Sequence, residues 1–193
     1  DWRITFVDTG RDACVGERLF AVRGFLRDEE VFLANYADAL SDLPLPLVLD
    51  PVARGRAVGA FAAVRPNTSF HFVQSDRHGV VTGLRSAEQA DLSINGGFFA
   101  FRREVFDHMR PGEELVEEPF ARLVGKRLLA AVPYRGFWRA CDTFKDLQTL
   151  EALQGRGTAP WELWRRGAPP EEAPPRAPAA ANEGGPPAIV AAG

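Results

Sequence analysis

The sequence is poor in the residues that bind metals through sulfur or imidazole, and it is poor in lysine. Its 193 residues include two cysteines, Cys14 and Cys141, and three histidines, none in a CxxC or Cys/His arrangement. We therefore interpret both cysteines as free thiols, as expected for a cytoplasmic protein. The only lysines are Lys126 and Lys145, so nearly all the positive charge is carried by arginine.

The chain also lacks a basic character and any long apolar run. Its formal net charge is −3 and its isoelectric point is about 5.7, which argues against binding to a nucleic-acid backbone. No apolar run reaches the roughly 20 residues needed to span a bilayer, and the first residues do not resemble a signal peptide. The sequence starts at Asp1 without methionine, and a strand-like segment follows at once. We therefore expect a fragment of a longer protein.

Composition divides the chain into two parts. Residues 1–166 have an ordinary globular composition and are long enough for one α/β domain with a core. Residues 167–193 consist mostly of proline, alanine, glycine and glutamate, with one apolar pair, Ile189 and Val190. Such a segment buries too little apolar surface to offset its chain entropy, so it is predicted to be a disordered tail or linker.

Strand and helix patterns alternate along residues 1–166. The continuous apolar run at residues 31–34 is typical of a strand buried on both faces of a sheet. Further strands are predicted at residues 3–7, 58–64, 70–75, 80–85, 92–95, 98–101, 128–132 and 137–141. Helices are predicted at residues 19–26, 43–53, 104–109, 117–126 and 144–153. The sum is a mixed α/β domain.

Two aspartates follow predicted strands, where open α/β sheets place their ligands. Asp38 lies just beyond the buried strand, and Asp142 lies at a strand-to-helix junction. Two converging carboxylates could hold Mg²⁺, which takes its other ligands from water and substrate phosphates. The alternative is that each aspartate caps a following helix, because Asp is a preferred N-cap residue.

Asn95, Gly96 and Gly97 interrupt an otherwise apolar strand. Glycines in a strand indicate either a bulge or a ligand close to the backbone. The sequence pattern leaves both interpretations open.

Seven segments, in the same order and at matching spacing, resemble motifs of the glucose-1-phosphate cytidylyltransferases, a branch of the sugar nucleotidyltransferases. The family's W-x-V-T-L-V-D-T-G, T-G-G-R-L, Y-G-D-G-V-S-D, I-N-G-G-F-F, E-P-L, G-F-W-x-x-x-D-T and A-P-W-K-x-W motifs correspond to residues 2–10, 15–19, 36–42, 94–99, 118–120, 136–143 and 159–164. Each motif alone is weak, whereas the ordered set is specific.

The resemblance implies a Rossmann-like nucleotide-diphospho-sugar transferase fold with a mixed sheet, lacking its N-terminal βα units. It implies transfer of a nucleotide, with CTP as the expected donor, to a sugar 1-phosphate resembling glucose 1-phosphate, with release of pyrophosphate. By the same resemblance, Asp38 and Asp142 would bind Mg²⁺ and act as the catalytic residues. Asn95, Gly96 and Glu118 would line the sugar side, and Arg18 would lie near the nucleotide. Oligomers of identical subunits are compatible with this reading.

The chain departs from the family pattern at the expected site. The family's E-K-P segment, whose lysine binds the sugar phosphate, is replaced by Ser86, Ala87 and Glu88. Both glycines that flank the metal-binding aspartate are replaced, by Ala37 and Ala39, and the added methyl groups are expected to narrow the cleft.

The sequence therefore supports two alternative functions. The retained aspartates favour an enzyme for the full-length protein. The lost lysine and glycines favour a nucleotidyltransferase-like module kept for binding or oligomerisation. Residues 1–193 do not include the segment that carries the family's glycine-rich nucleotide loop, so the isolated chain is expected to be inactive and poorly stable.

Overall fold

The computed structural model describes residues 3–66, 71–87, 92–165 and 189–192. Its centre is a mixed six-stranded sheet of β1 (Val31–Tyr36), β3 (Gly59–Val64), β6 (Ile94–Asn95), β7 (Phe99–Arg102), β8 (Leu129–Tyr134) and β10 (Ile189–Ala192). In this sheet β10, β1, β7, β3 and β6 are neighbours in that order, and β8 pairs with the other edge of β3.

Both antiparallel and parallel pairs occur in this sheet. Strand β7 is antiparallel to β1 and to β3, whereas β8 is parallel to β3 and β10 is parallel to β1. The predicted mixed α/β fold is therefore confirmed. Two separate ribbons complete the strands: β2 (Ala39–Ser41) with β9 (Trp138–Ala140), and β4 (His71–Ser75) with β5 (Val81–Ser86).

Helices cover both faces of the central sheet. Helices α1 (Val15–Ala21) and α3 (Glu118–Gly125) pack on one face, and α2 (Pro46–Ala53) packs on the other. In β7, Phe99 and Phe101 point to the first face and Ala100 to the second, and all three are buried. The ring centroids of Phe99 and Phe101 lie 5.5 Å apart. Full burial of a phenylalanine side chain stabilises the fold by roughly 1.5–3 kcal/mol.

Three short 3₁₀ segments, at Val22–Leu26, Arg103–His108 and Leu163–Arg165, and a fourth helix complete the described elements. The first two of these segments add Leu26 and Val105 to the core of the first face. Helix α4 (Phe144–Gly155) follows β9. Within the described ranges, no helix combines the length and the apolar character needed to cross a membrane.

Some predicted elements differ from the structure. The predicted strand at residues 3–7 is wrong, because residues 3–10 have no regular structure and Phe6 is 93% exposed. The pattern was strand-like, but no neighbouring strand supplies hydrogen bonds to it among the described residues. The predicted helix at residues 43–53 begins only at Pro46, since proline fits the first turn of a helix.

The C-terminal segment also differs from its prediction at four residues. Residues 189–192 form strand β10, which pairs in parallel with β1 from Leu33 to Tyr36. These four residues include Ile189 and Val190, the single apolar pair of the tail. The prediction of a disordered tail is therefore corrected at residues 189–192, which form a strand. The remaining predicted tail, residues 167–188 and 193, lies outside the described residues, so its disorder stays a prediction.

Candidate active site

The β2–β9 ribbon brings the two candidate aspartates together. Strand β2 runs antiparallel to β9, with Ala39 opposite Ala140. One residue further along, the amide of Cys141 donates a hydrogen bond to the carbonyl oxygen of Asp38 at 2.7 Å. Because Asp142 follows Cys141 directly, both aspartates lie at the same end of the ribbon. The backbones of the two candidate aspartates are therefore close to each other, and the convergence of their carboxylates stays a prediction.

Neither aspartate caps a helix. Asp38 lies in the two-residue turn between β1 and β2, so a strand follows it. The N-cap of α4 is Thr143, whose hydroxyl oxygen accepts a hydrogen bond from the amide of Asp146. The capping interpretation of Asp38 and Asp142 is thus excluded. Both are exposed, and neither carboxylate takes part in a hydrogen bond or ion pair within the described part of the chain.

The segment between β6 and β7 packs beside the end of β1. The side-chain amide of Asn95 donates to the hydroxyl of Tyr36 at 3.2 Å, and its oxygen accepts from the amide of Gly97 at 3.0 Å. The side-chain oxygen of Asn35 accepts from the amide of Phe98 at 2.7 Å. These contacts attach the segment to the strand that leads into Asp38.

Packing within the chain accounts for both glycines of this segment. A Cβ atom at Gly96 would lie 2.8 Å from a methyl group of Val64. At Gly97, where φ is +71°, it would lie 2.7 Å from the side-chain oxygen of Asn35 and 3.0 Å from the ring of Tyr36. The backbone is therefore approached closely by protein atoms, which supports the bulge interpretation of these glycines.

The glycine segment and the β2–β9 ribbon are joined by a tryptophan. The indole nitrogen of Trp138, the first residue of β9, donates to the carbonyl oxygen of Gly96 at 2.7 Å. Hydrogen bonds thus connect Tyr36, Asn95 and Gly96 to the ribbon that carries Asp38.

The surroundings of Tyr36 change the pKa of its phenol. Burial raises the pKa of its phenol above the ordinary value of 10, and the hydrogen bond donated by Asn95 opposes that shift. The negative charges of Glu114 and Asp38 raise this pKa further.

The remaining predicted site residues, Glu118 and Arg18, are not joined to the aspartates by any described contact. Glu118 is the first residue of α3 and is exposed. The Arg18 guanidinium group binds the preceding loop, donating to the carbonyl oxygen of Ala13 at 2.9 Å and to the hydroxyl of Thr9 at 3.5 Å. Their assignments to the sugar and the nucleotide stay predictions.

The residues that replace family motifs differ in their exposure. Ala87, which the motif resemblance aligns with the family's phosphate-binding lysine, is 1% exposed. Ala39 is buried in the ribbon, whereas Ala37 is exposed. The methyl group of Ala39 therefore contributes to packing, and that of Ala37 lies at the surface beside Asp38. In the described residues, no group of three or more His, Cys, Asp or Glu side chains is placed to hold a metal ion.

Comparison with known proteins supports the resemblance seen in the motifs. The chain is 34% identical over 167 residues to the glucose-1-phosphate cytidylyltransferase of Salmonella typhimurium and 33% identical to that of Salmonella typhi. Both alignments cover 84% of this chain, and the chain spans 64% of the length of each relative. The resemblance to this branch of the nucleotidyltransferases is thus confirmed. No family model matches the chain.

Solved structures show the same fold. A protein from Bacillus anthracis described as a glucose-1-phosphate thymidylyltransferase, in complex with sucrose, superposes with a TM-score of 0.55 at 10% identity, over 75% of this chain and 62% of that one. HddC from Yersinia pseudotuberculosis gives a TM-score of 0.52 at 11% identity, over 70% of this chain and 60% of that one. The Rossmann-like fold of the sugar-phosphate nucleotidyltransferases is confirmed by these superpositions.

Proposed function

We propose that this chain, which resembles glucose-1-phosphate cytidylyltransferases over most of its length, carries the metal-binding part of a sugar-1-phosphate nucleotidyltransferase. The proposed substrates are a sugar 1-phosphate similar to glucose 1-phosphate and a nucleoside triphosphate, with CTP as the first choice. The observation that carries the proposal is the hydrogen bond from Cys141 to Asp38, because it places Asp38 and Asp142 at the same end of the ribbon.

The donor set fits Mg²⁺. This ion binds oxygen ligands, uses one or two carboxylates in phosphate-transferring enzymes, and keeps waters and substrate phosphates as its other ligands. Asp38 and Asp142 supply two exposed carboxylates that no other described residue engages. When bound there, the ion would neutralise charge on the phosphates.

The reaction needs no covalent enzyme intermediate. A phosphate oxygen of the sugar 1-phosphate attacks the α-phosphorus of the triphosphate, and the bond to pyrophosphate breaks. Catalysis of this kind depends on positioning and on charge stabilisation. In the proposed site, Asn95, Gly96 and Glu118 lie on the sugar side and Arg18 lies toward the nucleotide. We propose that the reaction takes place in the cytoplasm.

Pyrophosphate release by the full-length protein, with CTP, glucose 1-phosphate and Mg²⁺, tests this function. Asp38→Asn and Asp142→Asn are each expected to lower the rate by about 100-fold or more. Asp50→Asn is the matched control, because Asp50 forms ion pairs only with Arg54 and Arg56 of its own segment among the described contacts. Equal activity in all four proteins would contradict the proposal.

A second candidate is a nucleotidyltransferase-like module without activity. The observation in its favour is that Ala87, which the resemblance aligns with the family's lysine, is a buried residue without a charge that could bind a phosphate. A panel of nucleotides and sugar phosphates distinguishes the two functions. The module is supported if the full-length protein releases no pyrophosphate with any pair but still binds Mn²⁺ through Asp38 and Asp142.

A further inference from the structure

The end of the β2–β9 ribbon opposite the aspartates is held by Asp42. Its amide donates to the carbonyl oxygen of Phe137 at 3.2 Å, and its carboxylate accepts from the amide of Phe137 at 2.8 Å. The same carboxylate oxygen accepts a hydrogen bond from the hydroxyl of Tyr134. Ser41 adds a fourth hydrogen bond, since its hydroxyl donates to the carbonyl oxygen of Phe137 at 2.6 Å.

A glycine makes room for this arrangement. A Cβ atom at Gly136 would clash with the hydroxyl oxygen of Tyr134 and would lie 2.9 Å from the carboxylate of Asp42. Any other residue at this position would displace the Tyr134 hydroxyl from Asp42 or move the turn between β8 and β9. The turn is therefore shaped to bring its donors to one carboxylate oxygen.

The ribbon depends on these hydrogen bonds for its stability because it is short. It pairs only three residues on each strand and belongs to a sheet of its own. A two-stranded ribbon of this size is marginal in water without further support. A slip of one residue would turn every side chain of the moving strand to the opposite face. The pairing of Asp38 with Cys141 would be lost in the same step.

We infer that Asp42 is a positioning residue that fixes the register of the ribbon and thereby holds Asp38 beside Asp142. It acts through the amide of Phe137 and the hydroxyl of Tyr134, at the end of the ribbon remote from the two aspartates. Its importance for catalysis rests on the proposed function, whereas its effect on the register does not.

Amide hydrogen exchange of the full-length protein tests this role. The readout is the protection of the Cys141 amide divided by that of the Ala62 amide, which donates to Gly97 in the central sheet at 3.1 Å. A uniform loss of stability changes both amides alike and leaves the ratio unchanged. Asp42→Ala is expected to lower the ratio about ten-fold or more, because it removes an acceptor for two donors.

Two further variants keep the test decisive. Tyr134→Phe removes one donor and keeps the ring, so the ratio should fall by less than in Asp42→Ala; this variant replaces Asp42→Ala if the latter fails to fold. Asp42→Asn retains an acceptor oxygen, so its protection ratio should lie between those of Asp42→Ala and the wild type. Asp50→Asn should leave it unchanged. An unchanged ratio in both Asp42→Ala and Tyr134→Phe would overturn the inference.

Titration with Mn²⁺ separates this inference from the proposed function. If both hold, Mn²⁺ binding is lost in Asp38→Asn and is weakened several-fold in Asp42→Ala. If the wild-type protein binds no Mn²⁺ while the exchange ratio falls as expected, the proposed metal site is wrong and the positioning role of Asp42 stands. Normal Mn²⁺ affinity in Asp42→Ala with an unchanged ratio would remove the positioning role alone.

Discussion

The indole of Trp138 and the carbonyl group of Gly96 are joined by a hydrogen bond of 2.7 Å. It links two pieces that are 42 residues apart in sequence: the strand that leads to Asp142 and the glycine segment that packs on Tyr36. The carbonyl of the buried Gly96 and the indole N–H satisfy each other, and an unpaired buried polar group is costly.

Replacement of Trp138 by phenylalanine should therefore destabilise the protein. The ring is kept in part, but Gly96 loses a hydrogen-bond donor, so we expect the free energy of unfolding to fall by about 1–3 kcal/mol. Urea unfolding followed by circular dichroism measures this. Trp164→Phe is the matched control, since Trp164 is 75% exposed, and it should change the stability by less than about 0.5 kcal/mol. Equal effects of the two substitutions would contradict the importance of the bond.

Alanine at Gly97 should be destabilising for two separable reasons. One is the positive φ of +71°, and the other is the contact of a Cβ atom with Asn35 and Tyr36. Gly112 provides the control, because its φ is +83° but no atom lies within 4 Å of a Cβ there. Gly112→Ala should cost about 1 kcal/mol from the backbone alone. Gly97→Ala should cost at least 1 kcal/mol more, as typical for overpacking.

A comparison of the two denaturation curves measures the crowding alone. If the two variants are equally stable, the segment moves away from Tyr36 at little cost. In that case the hydrogen bond between Asn95 and Tyr36 would not be a fixed part of the site.

The central strands could be predicted from the sequence because buried strands consist of continuous apolar residues. The apolar runs in β1, β3 and β7 are covered on both faces, and such runs read as strands without knowledge of their partners. The segment at residues 3–7 has a similar pattern, yet it forms no strand. A strand also needs a neighbour, and the sequence of one segment does not contain its neighbours.

The site was predictable only in part, for the same reason. Asp38 and Asp142 could be identified because each follows a strand. Asp42 and Tyr134 could not be joined in advance, although Asp42 lies within the Y-x-D-x-x-S-D motif, because 92 residues separate them and the pairing of β2 with β9 brings them together. Periodicity in the sequence describes the faces of single elements. The hydrogen bond between Asp42 and Tyr134 depends instead on the pairing of two strands, β2 and β9.

The capping box of α4 should make stability depend on pH. Asp146 accepts hydrogen bonds from the hydroxyl and amide of Thr143 and pairs with Arg139 at 3.0 Å, and these contacts lower the pKa of its carboxyl group below the ordinary 3.8. Because the folded pKa is depressed, the stabilisation is complete above pH 3.8 and is lost as the pH falls through the folded value.

Asp146→Asn is therefore expected to be less stable than the wild type at pH 7, and the difference should shrink as the pH is lowered toward 3. Unfolding by urea at several pH values measures it. Glu151→Gln, on the same helix and exposed, is the control and should show no such convergence. A constant difference between Asp146→Asn and the wild type across this range would show that the charge of Asp146 is not involved.

The phenol of Tyr36 reports directly on the charge of Asp38. Its pKa is raised chiefly by burial, is lowered by the hydrogen bond from Asn95, and is raised by the charges of Glu114 and Asp38. Asp38→Asn removes a negative charge and should lower the Tyr36 pKa toward 10, whereas Asn95→Ala removes a donor to the phenolate and should raise it. The chain has only two tyrosines, so ¹³C-labelled tyrosine gives two signals that NMR follows separately against pH.

The two shifts have opposite signs, and this guards against a general loosening of the fold. Greater exposure of the ring would lower the pKa in both variants, because burial is the largest cause of the elevated value. Glu104→Gln is the charge control, since Glu104 pairs with Arg102 and does not contribute to the Tyr36 pKa. If Asp38→Asn leaves the titration of Tyr36 unchanged, Asp38 points away from the surface that Tyr36 and Asn95 share. The proposed sugar and metal sites would then not adjoin.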